Sequence, residues 1–334
     1  MPFTLQSRHV RATIIEYGAR LAALETPDRD GRFGHVLLGF DDPGLFRRTG
    51  GSFGAVLGRY ANRIADARFT LNGETWQLAP NDRGNILHGG AGGFGNQPWE
   101  VLSFSEGDTP ELSLGRISPD GEEGFPGRLK VHAVYRLAGN ALTLELLART
   151  DAPTVVNLSS HPYFHLGDMA EEDVLDHEIT VAASHYLPTD ARQIPTGELA
   201  PVSGSVFDFR EPARFGARIR LADPQLLLGQ GYDHCFVLDK TPGKGPQFAA
   251  RAHSPRSGRM LEVYTTQPGL QLYSGNSLTG GIAGRGGIAF RQSSGFAMEA
   301  QNFPDAPNQP NFPSAVLLPG EEYRQITVYK FSAE

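Results

Sequence analysis

The sequence predicts an all-β fold, a large antiparallel β-sandwich with long, ordered loops. Three observations carry that expectation. Glycine (40) and proline (24) make up about a fifth of the 334 residues, against roughly an eighth in an average protein. They fall as turn punctuation and form no linker-like tract. Between them lie short runs in which apolar and polar residues alternate, the two-residue period of a strand with one buried face. A helical period of 3.6 is not sustained over ten residues anywhere in the chain.

The elements follow in order. Phe69-Thr70-Leu71 and Glu74-Thr75-Trp76-Gln77-Leu78 flank Asn72-Gly73, the dipeptide that takes positive φ at both centres of a tight hairpin turn. Leu142, Leu144 and Leu146 alternate after a turn at Gly139-Asn140, which predicts a second hairpin. Arg259–Thr265 and Ile326–Phe331 read as two further strands. No repeat of fixed period is present, which argues against a propeller or solenoid. No shift of composition divides the chain, so residues 1–334 are expected to form a single domain.

Hydrophobic residues make up 40% and charged residues 20%, enough apolar material for a real core and too much for a disordered chain. The formal net charge is −7, with no dense Lys/Arg run, so there is no electrostatic footprint for nucleic acid. A neutral or weakly charged partner is the better expectation. Cys235 is the only cysteine; it lies in the apolar run DHCFVL and predicts a buried thiol. The start, MPFTLQSRHVRATIIEYG, lacks the apolar region of a secretory signal. No stretch approaches the roughly 18 apolar residues that span a bilayer. A cytoplasmic protein without membrane contact is expected.

Five polar clusters sit beside glycine, proline or aromatic residues, the context of strand ends and loops where function concentrates. They are GRYANRI (58–64), LHGG (87–90), NLSSHPYFHLG (157–167), GYDH (231–234) and MEAQNFPD (298–305). Taken singly, Arg63 also reads as a surface charge, His88 as a turn residue and Asp233 as a turn cap. In the third cluster Pro162 and its aromatic neighbours favour extended chain. His161 and His165 then share a face but stand about 13 Å apart, too far for two ligands of one metal ion. The HEXXH pattern and the phosphate-binding P-loop are both missing. What remains is histidines and carboxylates with amide and guanidinium companions, an inventory suited to proton transfer on a polyhydroxylated, uncharged molecule.

With these clusters the chain resembles the aldose 1-epimerase (galactose mutarotase) family. The likeness runs in order from YGAR (17–20) through the five clusters and TTQPGLQLYSGN (265–276) to LLPGEEY (317–323). It implies a large antiparallel β-supersandwich and interconversion of the α and β anomers of a free aldose, without cofactor or metal. It also implies Glu299 as general base at the C1 hydroxyl and His161 as general acid at the ring oxygen. Asn62, Arg63, His88, Asp233 and Gln271 are implied as substrate binders, and a monomer or homodimer as the assembly. A base at Glu299 needs a raised pKa, whereas an unperturbed histidine near 6.5 suits an acid directly. His165 departs from the family, which usually carries asparagine there, and a structural or supporting role is expected.

Three alternatives compete. A glycoside hydrolase would use Glu299 and Asp233 as paired carboxylates. A sugar-binding protein on the same scaffold would lack the acid or the base. An enzyme for hexose 6-phosphates would recruit cations such as Arg59 and Arg83.

Overall fold

In the computed structural model of the chain, residues 2–167, 173–241 and 243–334 are described. Alternation decides the strands. Leu129–Ala138 buries Leu129, Val131, Ala133, Tyr135 and Leu137, and its hairpin partner Ala141–Thr150 buries Leu142, Leu144, Leu146 and Ala148. Their register runs from Ala138 opposite Ala141 to Leu129 opposite Thr150, so the turn at Gly139-Asn140 is where the sequence predicts it. Both strands belong to a nine-stranded antiparallel sheet. Its order is Glu100–Ser105, Glu111–Ser118, Leu129–Ala138, Ala141–Thr150, Tyr323–Ala333, Arg259–Thr265, Gln247–His253, Glu178–Val181, Ala213–Arg214. The two other predicted strands are neighbours within it, with Leu261 opposite Phe331 and Thr265 opposite Thr327.

A five-stranded sheet faces this one, in the order Ala200–Pro201, Ala183–Tyr186, Asp233–Leu238, Gly269–Tyr273, Ala297–Gln301. Its inner side chains, Phe236, Leu238, Leu270, Leu272, Met298 and Ala300, join one core with the large sheet. The four strands Phe3–Gln6, Arg11–Ile15, Arg20–Pro27 and Phe33–His35 add Leu5, Ala12, Ile14, Leu21 and Leu24 to it. Successive side chains of a strand point to opposite faces, so the other face of the five-stranded sheet carries Asp233, Cys235, Gln271 and Glu299. Gln271 is registered between Cys235 on one side and Glu299 on the other. This polar row is the floor of the candidate site.

The hairpin Arg68–Leu71/Glu74–Gln77 closes over Asn72 (φ 53) and Gly73 (φ 82), the positive-φ pair the dipeptide promises. Phe69 and Leu71 lead into a second apolar cluster with Ile86, Phe125, Phe303, Phe312 and Cys235. Burial pushes the Cys235 thiol up, and it acts as a small packing group, as expected. Helices are short. In Pro224–Gly229 the Asp223 side chain caps the first turn, accepting from the Gln225 and Leu226 amides, with proline at the first position. Among the described residues no helix is long and apolar enough to cross a membrane.

Candidate active site

The sequence clusters are fastened to one another by buried side chains. Asn157 donates through Nδ2 to the carbonyls of Ala61 (3.0 Å) and Asn302 (3.3 Å), and its Oδ1 accepts from the Asn302 amide (2.8 Å). One carboxamide thus ties GRYANRI and MEAQNFPD to the segment that bears His161. Ser159 adds a bond to the Ala300 carbonyl (2.8 Å), and Tyr60 donates to the Phe303 carbonyl (2.8 Å). Polar groups are buried here because each replaces backbone hydrogen bonds that irregular chain cannot make for itself.

His161 is held in extended chain by its amide to the Ala55 carbonyl (3.0 Å) and by the Gly54 amide to its own carbonyl (2.8 Å). Two residues on, Tyr163 lies on the same side and stacks on the imidazole, with centroids 4.7 Å apart and planes at 28°. Phe164 turns into the core against Phe296 and Tyr329. The aromatic pair therefore divides as the extended geometry predicts. His161 Nε2 stands 3.4 Å from Glu299 Oε1, with side chains only 6% and 3% exposed. Glu299 Oε2, His161 Nδ1 and Gln271 Oε1 are buried and have no partner in the structure. Unpaired polar atoms are costly to bury, and three gathered at one place mark where a polar ligand belongs.

His88 closes the other side. Gly89 follows it with φ +82, and a Cβ there would lie 2.1 Å from the Gly58 carbonyl oxygen; only glycine allows that approach. His88 Nδ1 accepts from the Asn62 amide (3.1 Å), and the His88 amide donates to the Asn62 carbonyl (3.0 Å). A neutral imidazole that accepts at Nδ1 carries its proton on Nε2. Burial, with the cationic forms of His161 and Arg63 nearby, pushes the His88 pKa well below the usual value and keeps the ring neutral. Its ring stands edge-on to His161 at 5.5 Å. The ligand-type atoms of His88, His161 and Glu299 lie within 4.8 Å of one another. With its proton on Nε2, His88 presents an N–H and no lone pair, which suits a hydroxyl or carbonyl oxygen and not a metal ion.

The binding wall is one hydrogen-bonded row. Asp82 Oδ2 accepts from Arg63 Nε (2.7 Å), and Arg63 Nη2 donates to Gln193 Oε1 (2.9 Å). Gln193 Nε2 donates to Asp233 Oδ2 (3.1 Å), and Gln271 Nε2 to Asp233 Oδ1 (2.7 Å). Asn62 (φ 62) supports the row from behind, its Oδ1 accepting from the Arg63 amide (2.9 Å). All seven residues singled out in the sequence thus stand in one neighbourhood. Asp82, Gln193 and Tyr163 complete it. Nothing local to the TDARQIPTG stretch (189–197) marks Gln193 as a site residue, because its partners are 130 and 40 positions away.

Burial, then the negative charge of Asp233, pushes the Glu299 carboxyl well above the usual carboxylate range, against a lowering by Arg63. That matches the expectation for a base. His161 does not match: burial takes its pKa down to about 4, not the unperturbed value near 6.5 read from the sequence. The reason is desolvation of an imidazolium in a nearly closed site. Burial also raises the Asp233 pKa. His165 is a buried packing histidine, edge-on to His177 at 5.3 Å, with Nδ1 accepting from the Gly167 amide (3.2 Å).

The sequence model of the family described as aldose 1-epimerase matches residues 1–330. The chain belongs to the aldose 1-epimerase family. It is 45% identical over 330 residues to galactose mutarotase of Sus scrofa, covering 99% of this chain and 93% of that one. With the aldose 1-epimerase of Escherichia coli K12 it shares 39% over 324 residues, 96% of this chain and 92% of the other. The crystal structure of an aldose epimerase homologue from C. elegans superposes with a TM-score of 0.90 at 28% identity, covering 100% and 99% of the two chains. The β-supersandwich expected of an aldose 1-epimerase is the fold observed.

Proposed function

We propose that Glu299 and His161 are the acid/base pair with which this carbohydrate epimerase interconverts the α and β anomers of a free aldose. The observation that carries the assignment is the buried contact of 3.4 Å between His161 Nε2 and Glu299 Oε1, with the second carboxylate oxygen unpartnered. In ring opening the proton of the C1 hydroxyl passes to the Glu299 carboxylate, and His161 gives a proton to the ring oxygen as the C1–O5 bond breaks. The pair then holds its single proton on the carboxyl beside a neutral imidazole. Rotation about C1–C2 and the reverse transfers close the ring on the other carbonyl face. The Nε2–H of His88 adds a neutral donor beside the reacting oxygens.

The substrate class follows from how charges are used. Arg63 is paired with Asp82 (2.7 Å). Arg59 is buried and donates to the carbonyls of Pro126 and Gly127 and to the Ser118 hydroxyl, so it is not available to a sugar phosphate. Both Asp233 oxygens accept from side-chain amides, those of Gln193 and Gln271, which makes Asp233 part of the binding row. A neutral aldose fits best. The core shared by the three sheets supports taking residues 1–334 as one domain.

Exchange spectroscopy by proton NMR on the anomeric signals of D-glucose and D-galactose tests the proposal. Cross-peaks between the α and β signals that depend on the protein are expected, with methyl glycosides inert because their C1 oxygen carries no proton. A folded protein that produces no exchange with either sugar would refute it. Release of sugar from the glycoside would replace it with hydrolysis.

A further inference from the structure

The geometry points to Gln193 as the positioning residue that sets the separation of Arg63 and Asp233, and with it the enzyme's choice among aldoses. The inference rests on the proposed function and extends it to a residue with no role in the proton transfers. Gln193 is 7% exposed and stands between a guanidinium and a carboxylate. Its Oε1 accepts from Arg63 Nη2 (2.9 Å) while its Nε2 donates to Asp233 Oδ2 (3.1 Å). These two partners fix the orientation of the amide, since the flipped form would set donor against donor and acceptor against acceptor.

A guanidinium and a carboxylate left to themselves close into a two-bond pair that saturates both. The inserted carboxamide prevents that contact and leaves each end with capacity to spare. Among the described residues no group accepts from Arg63 Nη1, and Gln271 Oε1, beyond Asp233, is buried without a partner. The row thus offers a donor at one end and an acceptor at the other, at a spacing set by Gln193. Asp233 lies two strands from Glu299 and two residues out of register with it, about 12 Å between backbones. The row therefore meets hydroxyls on the side of the sugar ring remote from C1, where aldoses differ in configuration.

The loop is built to hold this residue. Asp190 Oδ1 accepts from the amides of Arg192 (2.8 Å) and Ile194 (3.0 Å), closing a turn in which Gln193 adopts φ 62. Outside, Arg192 pairs with Asp66 (2.6 Å). At the base, Gln225 accepts from the Thr189 amide (2.8 Å) and donates to the Thr189 carbonyl (2.9 Å). The amide is therefore presented by a fixed turn and not by a mobile tip.

The test substitutes Gln193→Met, which keeps length and removes both hydrogen bonds. Steady-state kcat and KM are measured by polarimetry for D-galactose, D-glucose and their 3-, 4- and 6-deoxy analogues. KM is expected to rise about tenfold or more for the parent sugars, with kcat within about threefold of wild type. The galactose-to-glucose ratio of kcat/KM is expected to shift by about fivefold or more, and the penalty for deleting one remote hydroxyl to shrink toward unity. An unchanged KM and ratio would overturn the inference. So would a fall in kcat/KM by one common factor for all sugars, deoxy analogues included. If the methionine variant does not fold, Gln193→Glu, which keeps the acceptor for Arg63 and loses the donor to Asp233, is read by the same criteria. A folded wild type inert toward every aldose defeats the proposed function; an active wild type with selectivity untouched by these variants defeats only the role of Gln193.

Discussion

Replacing Glu299 by glutamine is expected to cost rate and to gain stability. The amide has the shape of the carboxyl and fits the same buried place, but it cannot take or return a proton. One positioned acid or base contributes about 10²–10⁴-fold, which is about 3–5 kcal/mol of transition-state stabilisation. Because the transfers by Glu299 and His161 belong to one ring-opening step, kcat is expected to fall by a factor in the upper part of that range. Stability moves the other way. The folded-state pKa of Glu299 is raised above its unfolded value, mainly by burial. Its favourable contribution is complete below the unfolded value near 4.3 and is lost as pH rises through the folded value. Glutamine carries no such loss. The variant is therefore expected to gain on the wild type by about 1.4 kcal/mol for each pH unit between those two values, and to level off above the higher one. The assay pairs polarimetric rates with denaturant midpoints measured from pH 4 to pH 9. Turnover within tenfold of wild type would remove Glu299 as the base. A stability difference that does not grow with pH would refute the reasoning about its burial.

Three further predictions follow from the same contacts. His161→Asn is expected to lower kcat by about 10²–10⁴-fold, and the double variant with Glu299→Gln to fall little further; multiplying effects in a polarimetric comparison would mean the two act separately. His165→Asn is expected to leave kcat within a few-fold, since its ring packs on His177 and not on the acid/base pair, and a collapse of kcat with the melting temperature preserved would contradict that. Asn157→Ala removes a buried carboxamide with three hydrogen bonds; a loss of about 2–4 kcal/mol in chemical denaturation is expected, and a loss below 0.5 kcal/mol would show that the clusters are fastened elsewhere.

The fold was legible wherever local chemistry agrees with tertiary structure. Asn72-Gly73 and the leucines at 142, 144 and 146 state a turn and a buried face in their own residues, and the hairpins form there. The two-residue strands Val56–Leu57 and Ser159–Ser160 were not legible, because their pairing is set by side chains such as Asn157 and Ser159 that reach segments far along the chain. The site divides in the same way. His161, His88 and Glu299 stand in distinctive clusters, and the division of Tyr163 from Phe164 follows from extended chain alone. Gln193 was missed because its meaning lies wholly in Arg63 and Asp233. The low pKa of His161 was missed because the chain does not state how completely loops close over a ring. Burial, not residue type, raises the Glu299 pKa and lowers that of His161.

The most direct test of the acid/base pair follows the optical rotation of freshly dissolved α-D-galactose with wild type, Glu299→Gln and His161→Asn side by side. The account predicts rapid relaxation with the wild type to the same final rotation as without protein, and relaxation at or near the spontaneous rate with either folded variant. Wild-type rates in both variants, or no acceleration by the folded wild type, would contradict it.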